Sequence, residues 1–136
     1  MFLVDTKILL ELATDDSRGA DWSQQALETA ALAGPLFINP IIYAEFSIGF
    51  SRIEALDAVL MSIGIAAVEI PRPALFLAGK AFATYRRRGG TRARVLPDFL
   101  IGAHAAVADL RLITRDAGRY RPYYPSLSLV TPARGS

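Results

Sequence analysis

Phe2-Leu3-Val4-Asp5-Thr6-Lys7-Ile8-Leu9-Leu10 is the stretch that decides how this chain is read. An apolar run as short as Phe2-Leu3-Val4 reads as a buried strand. Thr6 is suited to cap a helix over residues 7–12, because its hydroxyl can accept from a free backbone N–H. Asp5 then stands at the carboxyl end of a strand, between two apolar segments.

The same alternation continues outward. A helix is expected over 21–32, with Trp22, Ala26, Leu27, Ala30 and Ala31 on its apolar face and Asp21 as a candidate cap. Gly34-Pro35 ends it. Leu36-Phe37-Ile38 reads as a second strand, and Asn39-Pro40 opens the next helix, which carries Glu45 inside a strongly apolar segment. Ser51 is placed to cap a helix over 52–63, Gly64 ends it, and 65–70 reads as a strand. A long helix over 73–88 leads into the loop Gly89-Gly90-Thr91-Arg92-Ala93-Arg94. Pro97-Asp98 starts a helix reaching about residue 110, followed by strands over 112–114 and 127–130. Short apolar strands alternating with helices predict an α/β fold, a single domain over 1–136 with a central parallel sheet of short strands flanked by helices. Ligands of such sheets sit beyond the carboxyl ends of the strands. Asp5 and Asp116 both fall there.

Composition narrows the function classes. The chain has 136 residues, 52% hydrophobic and 21% charged, which is too apolar for disorder and ample for one core. It has no cysteine, which excludes disulfides, thiolate metal sites and a cysteine nucleophile. An acid as early as Asp5 does not suit a secretory leader, and no apolar run is long enough for a membrane span, so a cytoplasmic protein is expected. The net charge is only +2, but of 15 basic residues only Lys7 and Lys80 are lysine. The arginines suit phosphate recognition through their planar donor fork.

Four acids stand in unexpectedly apolar surroundings. Asp5 lies between Phe2-Leu3-Val4 and Ile8-Leu9-Leu10. Glu45 lies within Ile41-Ile42-Tyr43-Ala44-Glu45-Phe46-Ser47-Ile48, Asp98 between Val95-Leu96 and Phe99-Leu100-Ile101, and Asp116 after Leu112-Ile113-Thr114. Asp98 has a plain reading as a helix cap, and Asp5 and Asp116 as loop acids. Glu45 has no such reading. A buried charge needs a partner, and the only basic neighbours in sequence are Arg115 and Lys7. A divalent cation would neutralise several carboxylates at once. Oxygen donors with one lone histidine point to a hard ion, Mg²⁺ or Mn²⁺, rather than zinc.

The ordered set resembles the PIN-domain family. Val4-Asp5-Thr6-Lys7 is similar to that family's strand and Asp-Thr-Asn opening, Ala44-Glu45-Phe46 to its helical Glu, and Pro97-Asp98-Phe99-Leu100-Ile101-Gly102-Ala103 to its third acid. Leu112-Ile113-Thr114-Arg115-Asp116 is similar to its strand and Thr-x-Asp, with Tyr120 beyond. The resemblance runs from Phe2 to about Tyr120 and is nearest to the VapC-type toxins. It implies Asp5, Glu45, Asp98 and Asp116 as metal-binding catalytic acids, with Thr114 as an auxiliary polar group. It also implies an endoribonuclease that cleaves RNA with water activated by Mg²⁺ or Mn²⁺, a homodimer, and a small VapB-like antitoxin as partner.

Arg92 and Arg94 are candidate RNA contacts, since a glycine-flexible arginine loop just before Asp98 can grip phosphates. The plain alternative is a solvated helix end. His104 and Asp109 fall away from Asp98 by helical position and read as structural and surface residues. Tyr120, Tyr123 and Tyr124 read as packing for the terminal segment. The sequence lacks a Gly-x-Ser-x-Gly turn and a phosphate-binding Gly-x-x-x-x-Gly-Lys. The second reading is a catalytically impaired PIN-like domain that binds RNA or protein, because Lys7 stands where the family has Asn and brings a positive charge beside Asp5. If that charge matters, Lys7→Asn should raise the rate of metal-dependent RNA cleavage; equal rates for the two proteins would dismiss Lys7 as the cause of any impairment.

Overall fold

Phe2–Val4 forms the first strand, β1, with all three residues buried. Burial of every position, instead of alternate ones, is what a strand covered on both faces requires, and it explains the unbroken apolar run. The computed structural model describes residues 1–14, 19–92 and 96–132. After β1 come α1 (Thr6–Thr14), α2 (Ala20–Ala33), β2 (Leu36–Ile38), α3 (Pro40–Ser47), α4 (Ile53–Ile63), β3 (Ile65–Ala67), α5 (Arg72–Arg87), α6 (Leu96–Val107) and β4 (Arg111–Ile113). A 3₁₀ turn over Ala117–Arg119 and β5 (Leu129–Val130) complete the order. None of the described helices is long and apolar enough to cross a membrane.

The five strands form one all-parallel sheet in the order β3-β2-β1-β4-β5. β1 is therefore central, with Leu3 opposite Phe37 on one side and Leu112 on the other. The chain builds outward from β1 to β3, then crosses to start again at β4. The reversal places a crevice beyond the carboxyl ends of β1 and β4, where open α/β sheets bind ligands. Leu3, Val4, Ile8, Leu9, Ile38, Ile42, Phe46, Ile101, Leu112 and Ile113 fill the core around these strands.

The α/β alternation expected from sequence is present, and the departures have local causes. Thr6 is the first residue of α1, not its cap. Gly19 precedes α2, which puts Asp21 inside the first turn. Ser51 does not cap α4; Arg52 occupies that place in extended conformation, with no side-chain cap. The third strand is shorter than 65–70, its ladder ending at the Val68 N–H, which donates to Ile38 O (2.8 Å). Pro71, extended and without an N–H, then starts α5. Gly64 ends α4 with φ 84°, a left-handed cap that favours glycine.

A buried polar pair ties the two helices that follow β2 and precede β4. The Asn39 side chain accepts from Ile42 N (3.0 Å) at the start of α3. That fixes its amide, so Nδ2 donates to His104 Nδ1 on α6 (3.1 Å). Accepting at Nδ1 requires a neutral ring, and burial lowers the His104 pKa from its ordinary 6.5. Asn39→Ala should cost about 2 kcal/mol in urea unfolding, from the lost cap and the stranded ring nitrogen. A His held neutral in the fold but free to protonate when unfolded stabilises the protein above its unfolded pKa. Stability should therefore decline as pH falls below 6.5. His104→Gln should flatten that decline; an unchanged pH profile would count against the linkage.

Candidate active site at the switch point of the sheet

Asp5 leaves β1 directly into the crevice and is only 4% exposed. Its backbone N–H donates to Ile113 O (2.9 Å), continuing the β1–β4 ladder. Three donors meet its carboxylate: Thr6 N–H at Oδ1 (2.8 Å), and the Thr114 and Tyr120 hydroxyls at Oδ2 (2.7 and 2.9 Å). Such charge-assisted bonds offset the cost of burying the group. Tyr120 is wholly buried, and burial together with the neighbouring Asp5 and Asp98 raises its pKa well above the ordinary 10.0. It therefore donates to Asp5 rather than ionising. Gly102 makes this packing possible, since a Cβ there would lie 2.5 Å from the Tyr124 ring and 3.1 Å from that of Tyr120.

The other three acids come from different elements. Glu45, half-buried on α3, accepts from the Thr6 hydroxyl (2.6 Å). Thr6 thus links Glu45 to Asp5 instead of capping its own helix. Asp98 lies in the first turn of α6 with its side chain 24% exposed. Burial pushes its carboxyl up to about 6; Arg119 opposes this, while the charges of Asp5, Glu45 and Asp116 add to it. All four acids therefore share one field. Asp116 is exposed, and its N–H donates to the Thr114 hydroxyl (3.1 Å).

The expectation that all four are buried holds for Asp5 alone, because the crevice opens toward α6 and the 3₁₀ turn. Part of the crevice, about 760 Å³, is lined by the charged residues Glu45, Asp98, Asp116, Arg119 and Arg92 together with the rings of Tyr85, Phe99 and Tyr123. The adjoining part, about 470 Å³, reaches Asp5, Thr6, Lys7 and Glu11, and again Glu45, Asp98 and Arg119. Arg92 is exposed on this rim, its N–H donating to the Tyr85 hydroxyl (3.1 Å). Arg94 lies outside the described residues. Tyr120 and Tyr124 pack the terminal segment as expected, whereas Tyr123 meets Phe99 edge-on (centroids 4.9 Å) and faces the crevice.

Two residues that sequence reasoning passed over matter here. Arg119 reaches Asp116 Oδ2 (3.0 Å) through Nε and Asp98 Oδ1 (3.7 Å) through Nη1. Its only sequence signal is its place just before Tyr120. Glu11 is buried on α1, 3.2 Å from Arg115 Nε and accepting from the Ser23 hydroxyl (3.2 Å). The Arg115 contact is an ion pair off the hydrogen-bond axis, so Glu11 Oε1 has no hydrogen bond among the described residues. Arg115 also stacks over Trp22 (5.3 Å). Arg115 is thus taken up by Glu11 and Trp22, whereas Thr114 bonds Asp5 and Asp116 lines the crevice. Glu11 falls three residues after Ile8, on the apolar face of its helix, and that spacing is the signal that marks it. Lys7 is exposed and makes no ion pair among the described residues.

The donor chemistry suits a hard divalent cation: four carboxylates and the hydroxyls of Thr6 and Thr114 are all oxygen. Among the described residues no three acids are already gathered around one point. Asp98 and Asp116 are drawn to Arg119 instead.

No protein of curated function matches the chain. Several solved structures do. VapBC2 of Rickettsia felis, bound to a DNA fragment from its promoter, superposes with a TM-score of 0.75 at 19% identity, covering 97% of this chain and 98% of that one. A toxin–antitoxin complex from Klebsiella pneumoniae gives 0.65 at 26% identity, covering 98% of both chains. VapBC-1 of nontypeable Haemophilus influenzae gives 0.71 at 18% identity, covering 96% of both. The PIN-domain family model matches residues 2–123. With the parallel sheet and the acids at its switch point, that match over nearly the whole chain makes this protein a member of the PIN-domain family.

Proposed function

We propose that the chain is the toxin of a VapBC-type toxin–antitoxin pair, an endoribonuclease dependent on Mg²⁺ or Mn²⁺, acting in the cytoplasm as a homodimer and held in check by a small VapB-like antitoxin. The observation that carries the reading is that Asp5, Glu45, Asp98 and Asp116, from distant parts of the chain, line one crevice at the switch point of the sheet. The likeness to the Klebsiella pneumoniae toxin–antitoxin complex over the full length supports the biological role.

A divalent cation, when bound, supplies the charge that neutralises a scissile phosphate and a water acidic enough to attack it. The protein's own groups set the conditions for this. Asp5 is held rigidly by Thr114, Tyr120 and the start of α1, so it offers a fixed oxygen at the bottom of the crevice. Glu45 is steered by Thr6, and Asp98 and Asp116 reach in from the more open side. Arg92 stands on the rim as a phosphate contact, and Arg94, outside the described residues, is the second such candidate from the sequence. Tyr85 and Tyr123 offer partly exposed rings on which unpaired bases can stack. No protein nucleophile is required.

Binding a cation requires the proton to leave Asp98. Because that carboxyl is raised to about 6, affinity should climb as pH rises through about 6 and level off above it. Mn²⁺ titration by calorimetry tests the site directly. The native chain should bind, Asp98→Ala should lose most of the heat, and RNA cleavage should follow the same order. Binding that survives in Asp98→Ala would place the ion elsewhere. No binding in the native chain would leave the impaired, RNA- or protein-binding reading in its place.

A further inference from the structure

Arg119 sits where two demands on one charge conflict. Among the described residues it is the only basic group paired with the acidic cluster. Arg115, two residues beyond the end of β4, is committed to Glu11 and Trp22. Lys7 reaches the crevice rim without a partner among the described residues. Arg119 bridges Asp98 and Asp116, and its side chain is still 49% exposed. It lines both parts of the crevice. A guanidinium carries five N–H donors in a fixed fork. The two carboxylates engage Nε and one Nη, so further donors are available to a third anion.

Arg119 touches one oxygen of each carboxylate, and a cation that takes Asp98 and Asp116 as ligands competes with it for their charge, because a second positive charge held against the same two acids repels the guanidinium. The released guanidinium would remain on its short 3₁₀ turn, beside the place where a phosphate must lie to be cut. Arginine binds phosphate through the same planar fork that now holds the carboxylates. We propose that Arg119 is an exchangeable place-holder, neutralising Asp98 and Asp116 in the metal-free chain and passing to an RNA phosphate when a divalent cation takes those carboxylates. This rests on the nuclease reading above and adds to it a residue and a consequence. Metal and RNA binding become coupled through one side chain: each ligand removes a competitor of the other, and the coupling is reciprocal.

The test compares the native chain with Arg119→Gln, Arg119→Lys and Arg92→Gln. Mn²⁺ affinity is read by calorimetry. Affinity for a short fluorescein-labelled single-stranded RNA is read by anisotropy, with EDTA or with Ca²⁺, and with the RNA checked on a gel for cleavage. Arg119→Gln should bind Mn²⁺ about 5-fold more tightly, since two partly exposed ion pairs no longer compete. Its loss of RNA affinity should be about 5-fold larger with Ca²⁺ than with EDTA. Its salt slope should fall by about 1 only when Ca²⁺ is present. Arg92→Gln, with no carboxylate partner among the described residues, should lose the same RNA affinity in both conditions. Arg119→Lys keeps the charge and serves if the Gln variant fails to fold; it should stay near native Mn²⁺ affinity while losing part of the Ca²⁺-dependent RNA binding. Unchanged Mn²⁺ affinity in Arg119→Gln, or an RNA loss that ignores Ca²⁺, overturns the place-holder while leaving the nuclease reading intact. Absence of Mn²⁺ binding in both the native chain and Arg119→Gln overturns the nuclease reading itself.

Discussion

The buried carboxylate of Asp5 constrains everything around it. A charge at the end of the central strand of a parallel sheet has no solvent to rely on, so the fold must bring donors to it. One comes from the start of α1, but the other two come from 109 and 115 residues away, at Thr114 and Tyr120. The sheet order is what brings them near, because β4 pairs directly with β1 and Thr114 is the first residue beyond it. Tyr120 then needs the 3₁₀ turn to bring its ring back under the strand ends, and it needs Gly102 to lie close against α6. The deepest part of the site is therefore assembled only when both halves of the chain are folded together.

The acids of α3 and α6 depend on a second buried pair. Asn39 precedes Glu45 by six residues, and His104 follows Asp98 by six. Their hydrogen bond joins the start of α3 to the body of α6 beneath the crevice. That bond touches no acid, yet it sets the relative placement of the helices that carry two of them. A histidine alone on an apolar helix reads from sequence as structural, and its partner shows what structure it serves.

The α/β class, the alternation of strands and helices along the chain, and the presence of four acids within apolar segments were legible because each rests on a local pattern: a short apolar run, a change of period, a charge inside it. Helix and strand ends were less legible, because they depend on ladders between distant segments. Thr6 illustrates this. Its type and position favour a cap, but the nearby Glu45 carboxylate offers its hydroxyl a better partner. Ser51 lost its expected role to extended backbone at Arg52. Burial of the acids was overestimated because apolar neighbours in sequence do not say which side of a helix faces a crevice. The Asp98 side chain is partly open and that of Asp116 is 51% exposed.

The distribution of cations was the least legible feature and has the largest electrostatic consequence. Lys7 drew attention because it stands two residues after Asp5 where the family has Asn, whereas the cation that meets the cluster is Arg119, which becomes a neighbour of Asp98 only through the turn after β4. Even with Arg119 in place, the Asp98 carboxyl is raised from 3.8 to about 6. A folded-state pKa above the unfolded one means that the proton is held more tightly in the fold. The stability this gives is present at low pH and lost as pH rises through about 6. At neutral pH the protein thus carries an acidic cluster that one arginine only partly offsets. Replacing Asp98, half-buried in the first turn of α6, with an apolar residue would relieve that cost. It would also remove the unmet negative charge, and that charge is what gives the crevice its capacity to hold a cation and, through Arg119, to pass a positive charge to an incoming phosphate.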